Sequence, residues 1–493
     1  MKIRLATLHC TRGFIPLSLL YLKAFLVQRQ GRAASDIEIH EFHGKSASDN
    51  IVDALVAGAP DVIGLAIYVW NVKTLMAVAQ RIKALSPQTT IVLGGPEVGP
   101  VATSVLRAHP YIDIVVRSEG EIPFSEIVSS LEAGRDVSSV KGICYRRADA
   151  IVENEDAPIL ADLNELASPH RAGYIDPKDR IICIETQRGC VFRCNFCFYN
   201  KDLSIRNRRF DLDRVKAEIL YWLQQEVVEI YMMDPIFNLN AERAKDICRF
   251  VIAHNHRQVA FHAELWAEFV DEELAQLLAE ANFQFLEIGL QTTDESALAT
   301  VERRLRVRKF TDGIEHMKRY QLKFELQLIY GLPGETPDTF RRSLNFALSL
   351  GPFELVVFRL MILPGTELWR KAEALRLEFD PEPPYLARAH FSMTAADMAY
   401  GLKIVDAVPL LSSSKTIRFL CREPNVTFAE VVDAWIAWQD GQAPDTPVNV
   451  RARRFVADYC AAKQIPAEFY AGFASLEFGG DPMPSYHAAV RAS

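Results

Sequence analysis

The stretch "CVFRCNFC", residues 190–197, decides how this chain is read. The chain holds nine cysteines in 493 residues, yet Cys190, Cys194 and Cys197 fall inside these eight positions. Thiolate sulfur is a soft donor that selects zinc, copper(I) or iron–sulfur clusters. A structural zinc would want a fourth protein ligand at matched spacing. No CxxC or HxxxH partner lies nearby, and Cys183 sits on the preceding strand. A cubane cluster normally takes four cysteines. Three would leave one iron open, as a catalytic metal site leaves a position open for its substrate.

The setting of the motif is a βα series. "IICIET" (181–186) reads as its first strand, followed by "EIYMMD" (229–234), "VAFHAEL" (259–265), "FLEIGLQ" (285–291), "FELQLIYGL" (324–332) and "ELVVFRLMI" (354–362). Helical stretches lie between most of them. Six such units predict an incomplete parallel (β/α)6 TIM-like barrel over 181–375, with its ligand face at the carboxyl ends of the strands. The three cysteines follow the first strand, on that face. From 376 to 493 the pattern turns helical, as in "FAEVVDAWIAWQDG" (428–441), and predicts a helical C-terminal domain.

Cysteine spacing and setting together resemble the radical S-adenosylmethionine (SAM) enzymes. The resemblance implies that Cys190, Cys194 and Cys197 hold a [4Fe–4S] cluster whose fourth iron chelates the methionine part of SAM. Electron transfer would then cleave SAM to a 5′-deoxyadenosyl radical, with Phe196 packed near the adenine. By the same resemblance, Asp234 in "MMDPIFN" and Glu264 at the third strand end sit near SAM. Gln291 in "FLEIGLQTTDESALATVERR" does too, and so does Arg303, although Glu302 stands where the family often has Asn. Asp234 has a second reading as a helix cap. "LIYGLPGET" and "LMILPGTELW" resemble the fifth- and sixth-strand segments and are turns first.

Ahead of this series, residues 1–145 alternate short apolar strands ("IRLATL", "IEIHEF", "DVIGLAIYVW", "TIVLGG", "IDIVVRS") with amphipathic helices. This pattern predicts a Rossmann-like parallel sheet covered on both faces. No GxGxxG follows the first strand, which disfavours a dinucleotide site. "IPLSLLYL", "IGLAIYVWN", "IVLGGPEV" and "VVRSEGEIPFSEIV" instead resemble the cobalamin (B12)-binding domain that precedes one class of radical SAM enzymes. The resemblance implies cobalamin contacts from Pro16, Leu17, Tyr68, Val69, Trp70, Asn71, Gly94, Gly95, Pro96, Glu119 and Gly120. "TLHCTRG" departs from the histidine-ligating pattern DxHxxG, so His9 is read as a strand-end histidine and cobalt is expected without it. Residues 146–180 are polar and read as a linker.

Bulk properties agree with a soluble enzyme. A formal charge of −8 argues against a surface built wholly for nucleic acid or anionic membrane. No run long and apolar enough to span a membrane occurs, and the start lacks a signal-peptide pattern. Irregular cysteine spacing fits a reducing cytoplasm. The run Arg303–Arg308 reads as a solvated face, Trp435 and Trp438 as core aromatics, and the six isolated cysteines as inert. The expected activity is a cobalamin-dependent radical SAM methyltransferase, a monomer acting on an unactivated carbon or phosphorus of a small-molecule substrate. It would need an external flavodoxin- or ferredoxin-type electron donor. Alternatives are a cyclase, oxidase or rearrangement enzyme with the same cofactors, or a non-enzymatic sensor.

Overall fold

Runs of Val, Ile, Leu and Ala too short for helices, set between amphipathic helices, form two parallel sheets in the computed structural model of the protein. The structure describes all residues except 12, 45, 47, 201–206, 443–445 and, from 467 onward, all but 470, 474 and 477. The first sheet takes β1 (Ile3–His9), β2 (Ile37–His43), β3 (Val62–Ala66), β4 (Thr90–Gly94) and β5 (Ile114–Val116). Two further strands, β6 (Ile143–Arg147) and β7 (Ala150–Glu153), join it antiparallel, in the order β2-β1-β3-β4-β5-β6-β7. Part of the expected linker is therefore this edge hairpin. Its polar sequence faces solvent on one side, and that hid the alternation.

The second sheet begins at β8 (Ile181–Ile184), followed by the short antiparallel pair β9 (Gln187–Arg188) and β10 (Arg208–Arg209). It continues through β11 (Glu229–Met232), β12 (Ala260–Leu265), β13 (Phe283–Gln291), β14 (Phe324–Tyr330) and β15 (Glu354–Arg359). Six parallel strands run in the order β15-β14-β13-β12-β11-β8, the incomplete barrel that the sequence implied.

Both edges of the open barrel are covered. At β8, the chain leaving β1 adds a parallel bridge: Ile181 N donates to Gly13 O at 2.8 Å and Ile15 N to Ile181 O at 3.4 Å. At β15, the helix Ala395–Ser413 packs across the strand. The expected helical region thus starts late, after a short antiparallel pair at Glu378–Phe379 and Ala387–Ala389. Trp435 is fully buried among Trp438 and Phe455, as core aromatics.

One helix belongs to both cores. Leu17–Gln30 is apolar around most of its circumference, which marks a helix buried on several sides. Leu20, Tyr21 and Phe25 enter the barrel's core, while Leu19 and Leu26 enter that of the first sheet.

The covering helix docks through Gly401, where an added methyl would meet Tyr330 Cε1 at 2.2 Å. Tyr330 Oη also donates to Asp397 O at 2.8 Å. Gly401→Ala would gain about 1 kcal/mol of helix propensity, but overpacking a fixed ring costs about 1–3 kcal/mol. We expect a net loss in the unfolding midpoint, and tolerance of Gly401→Ala when combined with Tyr330→Leu, both read by thermal denaturation.

Candidate active site at the seam of the two sheets

The cysteine loop is held at both ends. Asp234, just past β11, accepts from Thr186 N at 2.7 Å and Gln187 N at 3.1 Å through Oδ1, and from Thr186 Oγ1 at 2.5 Å through Oδ2. It therefore ties the exit of β8 to the end of β11. Asp234 does not cap the next helix, whose cap is Asn240. Burial pushes its carboxyl up to about 7, against the pull of these hydrogen bonds. Further along the loop, Asn195 N donates to Val301 O and its Nδ2 to Thr300 O, both at 3.0 Å. Arg303 places Nη1 at 3.6 Å from Cys194 Sγ and lies over the Trp266 ring at 4.4 Å.

Cys194 is buried, and Cys190 and Cys197 are partly so. Burial raises the Cys190 thiol and pushes Cys197 up to about 12, and the charges of the neighbouring thiols add to both shifts. Such thiols become ligands when a metal displaces the proton outright. Among the described residues, no three His, Cys, Asp or Glu side chains are placed to hold a single ion. A cubane takes each thiolate on a separate iron, so three soft donors spread over one loop beside a guanidinium fit such a cluster.

The other residues implied near SAM lie on the barrel rim. Phe196 is half-buried against the barrel core. Gln291 ends β13 with φ +69°, left-handed backbone that a non-glycine residue seldom adopts, at an irregularity in the pairing with β14. Glu264 reaches into the barrel yet stays open to solvent at the mouth. The surrounding protein, with Glu287, Glu325 and Asp234, pushes it up to about 8. Pairing across the sheet sets Glu264, Glu287, Glu325 and Glu354 in one row, one per strand from β12 to β15.

Facing the cysteine loop, a cavity of about 570 Å³ opens between the two sheets. Pro16, Leu17, Tyr68, Trp70, Glu119 and Gly120 line it from the first sheet, and Glu185, Arg188, Tyr199 and Met233 from the barrel. Tyr68 and Trp70 stack with centroids 4.5 Å apart and planes 3° apart, a flat wall suited to a flat ligand. A second cleft of about 230 Å³ continues over Gly94, Gly95 and Pro96. At Gly95, φ is +114° and a Cβ would meet Ile67 O at 2.4 Å, so only glycine fits. Nothing stands within 4 Å of a Cβ at Gly94, leaving the cradle open. A planar macrocycle with a polar tail fits this shape.

Two of the implied cobalamin contacts lie elsewhere. Asn71 is fully buried and braces its loop, accepting from Tyr68 N at 2.8 Å and donating to Ala66 O at 3.1 Å and Leu8 O at 3.2 Å. Like Asn71, Val69 lines neither cavity. His9 lies at the rim, its Nε2 3.1 Å from Glu41 Oε2 and its ring stacked on His43.

Glu119 is engaged across the seam. Arg208 binds it through both terminal nitrogens, with Nη1 at 3.0 Å from Oε2. Arg188, on β9, joins Glu121 at 2.8 Å, Glu185 at 2.8 Å and Glu119 at 3.7 Å, and lies over the Tyr21 ring. Burial works against the Arg188 charge, but the three carboxylates outweigh it and hold its pKa well above the ordinary value. Nothing in the sequence marks Arg188, because its partners across the seam lie 67 and 69 positions upstream, at Glu121 and Glu119. The only signal available was its place two residues before the first cysteine.

Removing Arg188 would leave three carboxylates facing one another in a largely buried seam. Breaking a buried ion pair costs about 3–5 kcal/mol. Arg188→Gln should lower the unfolding midpoint sharply, with partial recovery in Arg188→Lys. Asp234 gives a pH signature. Its folded pKa of about 7 lies above the unfolded value of about 3.9. The stability it supplies is thus full below the unfolded value and drains away as pH rises through 7. Asp234→Asn should flatten that decline, as measured by denaturant melts of the metal-free protein between acid and mildly alkaline pH.

Comparison with known proteins agrees with this geometry. Residues 6–128 match the B12 binding domain model and residues 184–347 the Radical SAM superfamily model. The cobalamin-dependent radical SAM methyltransferase TokK of Streptomyces tokunonensis is 27% identical over 356 residues, covering 67% of this chain and 51% of TokK. The 2-(S-pantetheinyl)-carbapenam-3-carboxylate methyltransferase of Streptantibioticus cattleyicolor is 28% identical, covering 64% and 49%. This chain thus spans about half the length of these two relatives. The structure of the cobalamin-dependent SAM radical enzyme OxsB with aqua-cobalamin and SAM bound superposes with a TM-score of 0.68 at 13% identity, over 100% of this chain and 83% of OxsB, a likeness of fold. With a B12-binding domain set against a three-cysteine radical SAM barrel, the chain belongs to the cobalamin-dependent radical SAM enzyme family.

Proposed function

We propose that this chain is a methyltransferase that moves a methyl group from SAM, by way of cobalamin, to an unactivated carbon or phosphorus of a small molecule. The observation that carries the reading is the shared cavity. The Tyr68–Trp70 wall lines the same cavity as Gly189, Phe198 and Tyr199, which flank the three cysteines, and the Gly94–Gly95–Pro96 cradle adjoins that cavity through Tyr68 and Gly120. Two methyltransferases among the relatives support the outcome. When bound, a cluster on Cys190, Cys194 and Cys197 supplies the electron that splits SAM, and cobalamin supplies the methyl relay.

The chain's own groups bind, orient and exclude water. Arg303 sets a fixed positive charge beside Cys194 Sγ, where cluster charge would build up. Glu264, whose carboxyl is raised by the surrounding protein and by Glu287 and Glu325, stands at the barrel mouth. Gln291, pinned by its bulge, presents its amide at the same rim. The helix Ala395–Ser413 packs against β15 and covers that edge of the open barrel. Val69 and Asn71 act by shaping the loop that carries Tyr68 and Trp70. We read the protein as a cytoplasmic monomer, since a cluster with an open iron is oxygen-labile, and we infer an external flavodoxin- or ferredoxin-type donor.

Anaerobic reconstitution with iron, sulfide and hydroxocobalamin tests the reading. The wild type should gain cluster absorbance, cleave SAM under reduction, and pass isotope from methyl-labelled SAM to the corrin. Replacing Cys190, Cys194 and Cys197 with Ala should abolish cluster absorbance and SAM cleavage while the corrin stays bound. A wild type carrying both cofactors that moves no label would rule out methyl transfer.

A further inference from the structure

We propose that the basic strip 304–309 beside the cysteine loop is the docking surface for an acidic one-electron donor protein that carries a flavin or iron–sulfur centre. The inference rests on the functional reading above, because reductive splitting of a sulfonium consumes an electron from outside. The donor loses one electron, the cluster site gains it, and no covalent bond changes in the docking step.

Residues 303–309 read Arg-Arg-Leu-Arg-Val-Arg-Lys, without an acid, in a chain whose net charge is −8. The strip is wired to the cysteine loop through Val301 and Thr300, which accept from Asn195, and through Arg303, which faces Cys194. Its outer side chains, Arg304, Arg306, Val307, Arg308 and Lys309, are exposed. Arg193 and Val191 of the cysteine loop are exposed as well. Arg306 is held by Glu268 at 2.5 Å. Among the described residues, Arg193, Arg304, Arg308 and Lys309 have no ion-pair partner.

The placement of these cations is unfavourable to the fold alone. Arg308 and Lys309 fall in the first turn of the helix Val307–Arg319, which has no acidic residue of its own there; the carboxylate at this end is Glu268, which accepts from Arg306 N at 3.0 Å and is also paired with the Arg306 guanidinium. Cations at a helix N-terminus oppose the dipole. A stability-optimised surface would carry Asp or Glu at these positions. Carboxylates of a partner would relieve both the mutual repulsion and the dipole conflict, and opposite fields would steer its approach. At the start of the strip, Arg303 lies over the Trp266 ring, which stacks on Phe192 of the cysteine loop with centroids 4.0 Å apart.

The test compares wild type with the triple variant Arg304→Glu/Arg308→Glu/Lys309→Glu, both reconstituted, using a bacterial flavodoxin as probe. Wild-type affinity for flavodoxin should weaken steeply with salt. The variant should bind flavodoxin at least about tenfold more weakly, and flavodoxin-driven formation of 5′-deoxyadenosine should fall by a similar factor. With titanium(III) citrate, which needs no docking, the two proteins should cleave SAM alike. If only one position perturbs folding, Arg304→Gln/Arg308→Gln gives a milder version of the same split. Unchanged flavodoxin affinity in a folded variant overturns the proposal. So does an equal loss with both reductants. A wild type that cleaves SAM with neither reductant overturns the functional reading instead, and the affinity comparison still decides the surface.

Discussion

The rest of the structure depends on the ionic seam around Arg188. One guanidinium holds Glu185 of the barrel's first strand end together with Glu121 and Glu119 at the start of a first-sheet helix. Arg188 is two residues from Cys190, so the seam fixes the origin of the cysteine loop relative to the B12-binding domain. A linker of more than twenty residues would leave that relation loose. The apolar helix Leu17–Gln30 adds a non-directional bond between the same two bodies, because its residues count in both cores. On the opposite flank, Tyr385 Oη donates to the buried Glu97 Oε1 just after the glycine cradle, and Lys73 meets Glu382 at 2.9 Å. The methyl relay proposed for this chain would need a cavity of fixed width, and the seam would hold it so.

A second theme is the use of buried acids to tie strand ends together. Asp234 joins β8 to β11, and Glu335 joins the ends of β13 and β14, where Thr292 Oγ1 donates to its Oε1 at 2.5 Å. Burial holds both above the ordinary carboxylate range. In a closed eight-stranded barrel, each strand end would be clamped on both sides. An open six-stranded sheet lacks that closure, and these side chains supply local clamps at its carboxyl ends. The same ends carry the cysteine loop and Gln291, so rigidity at the rim and geometry of the site are one property.

The sequence carried the fold class because periodicity is local. Apolar runs at 62–66, 90–94, 230–232 and 355–357 are strands in any context that covers both faces. It carried the cysteine loop for the same reason, since three soft donors within eight positions state their chemistry without reference to the rest of the chain. The hairpin 143–153 escaped notice because a half-solvated edge pair mixes polar and apolar residues at short length. Asn71 and Glu119 were legible as members of segments that resemble a cobalamin-binding domain, but their partners decided their roles: Asn71 turned inward to bind backbone, and Glu119 turned outward to Arg208.

What the sequence determined by itself was a pair of βα sheets, a trio of thiols and a glycine-rich cradle, each a property of neighbouring residues. Only the tertiary structure decided that the cradle adjoins the cavity lined by the residues flanking the cysteine loop, and that Arg188 clasps three acids at the seam. It alone also showed Asp234 as a clamp and the basic strip as an outer layer of the cysteine loop. These relations join residues tens to hundreds of positions apart. They follow from how two cores pack on one helix, a free-energy minimum of the whole chain that no local pattern encodes.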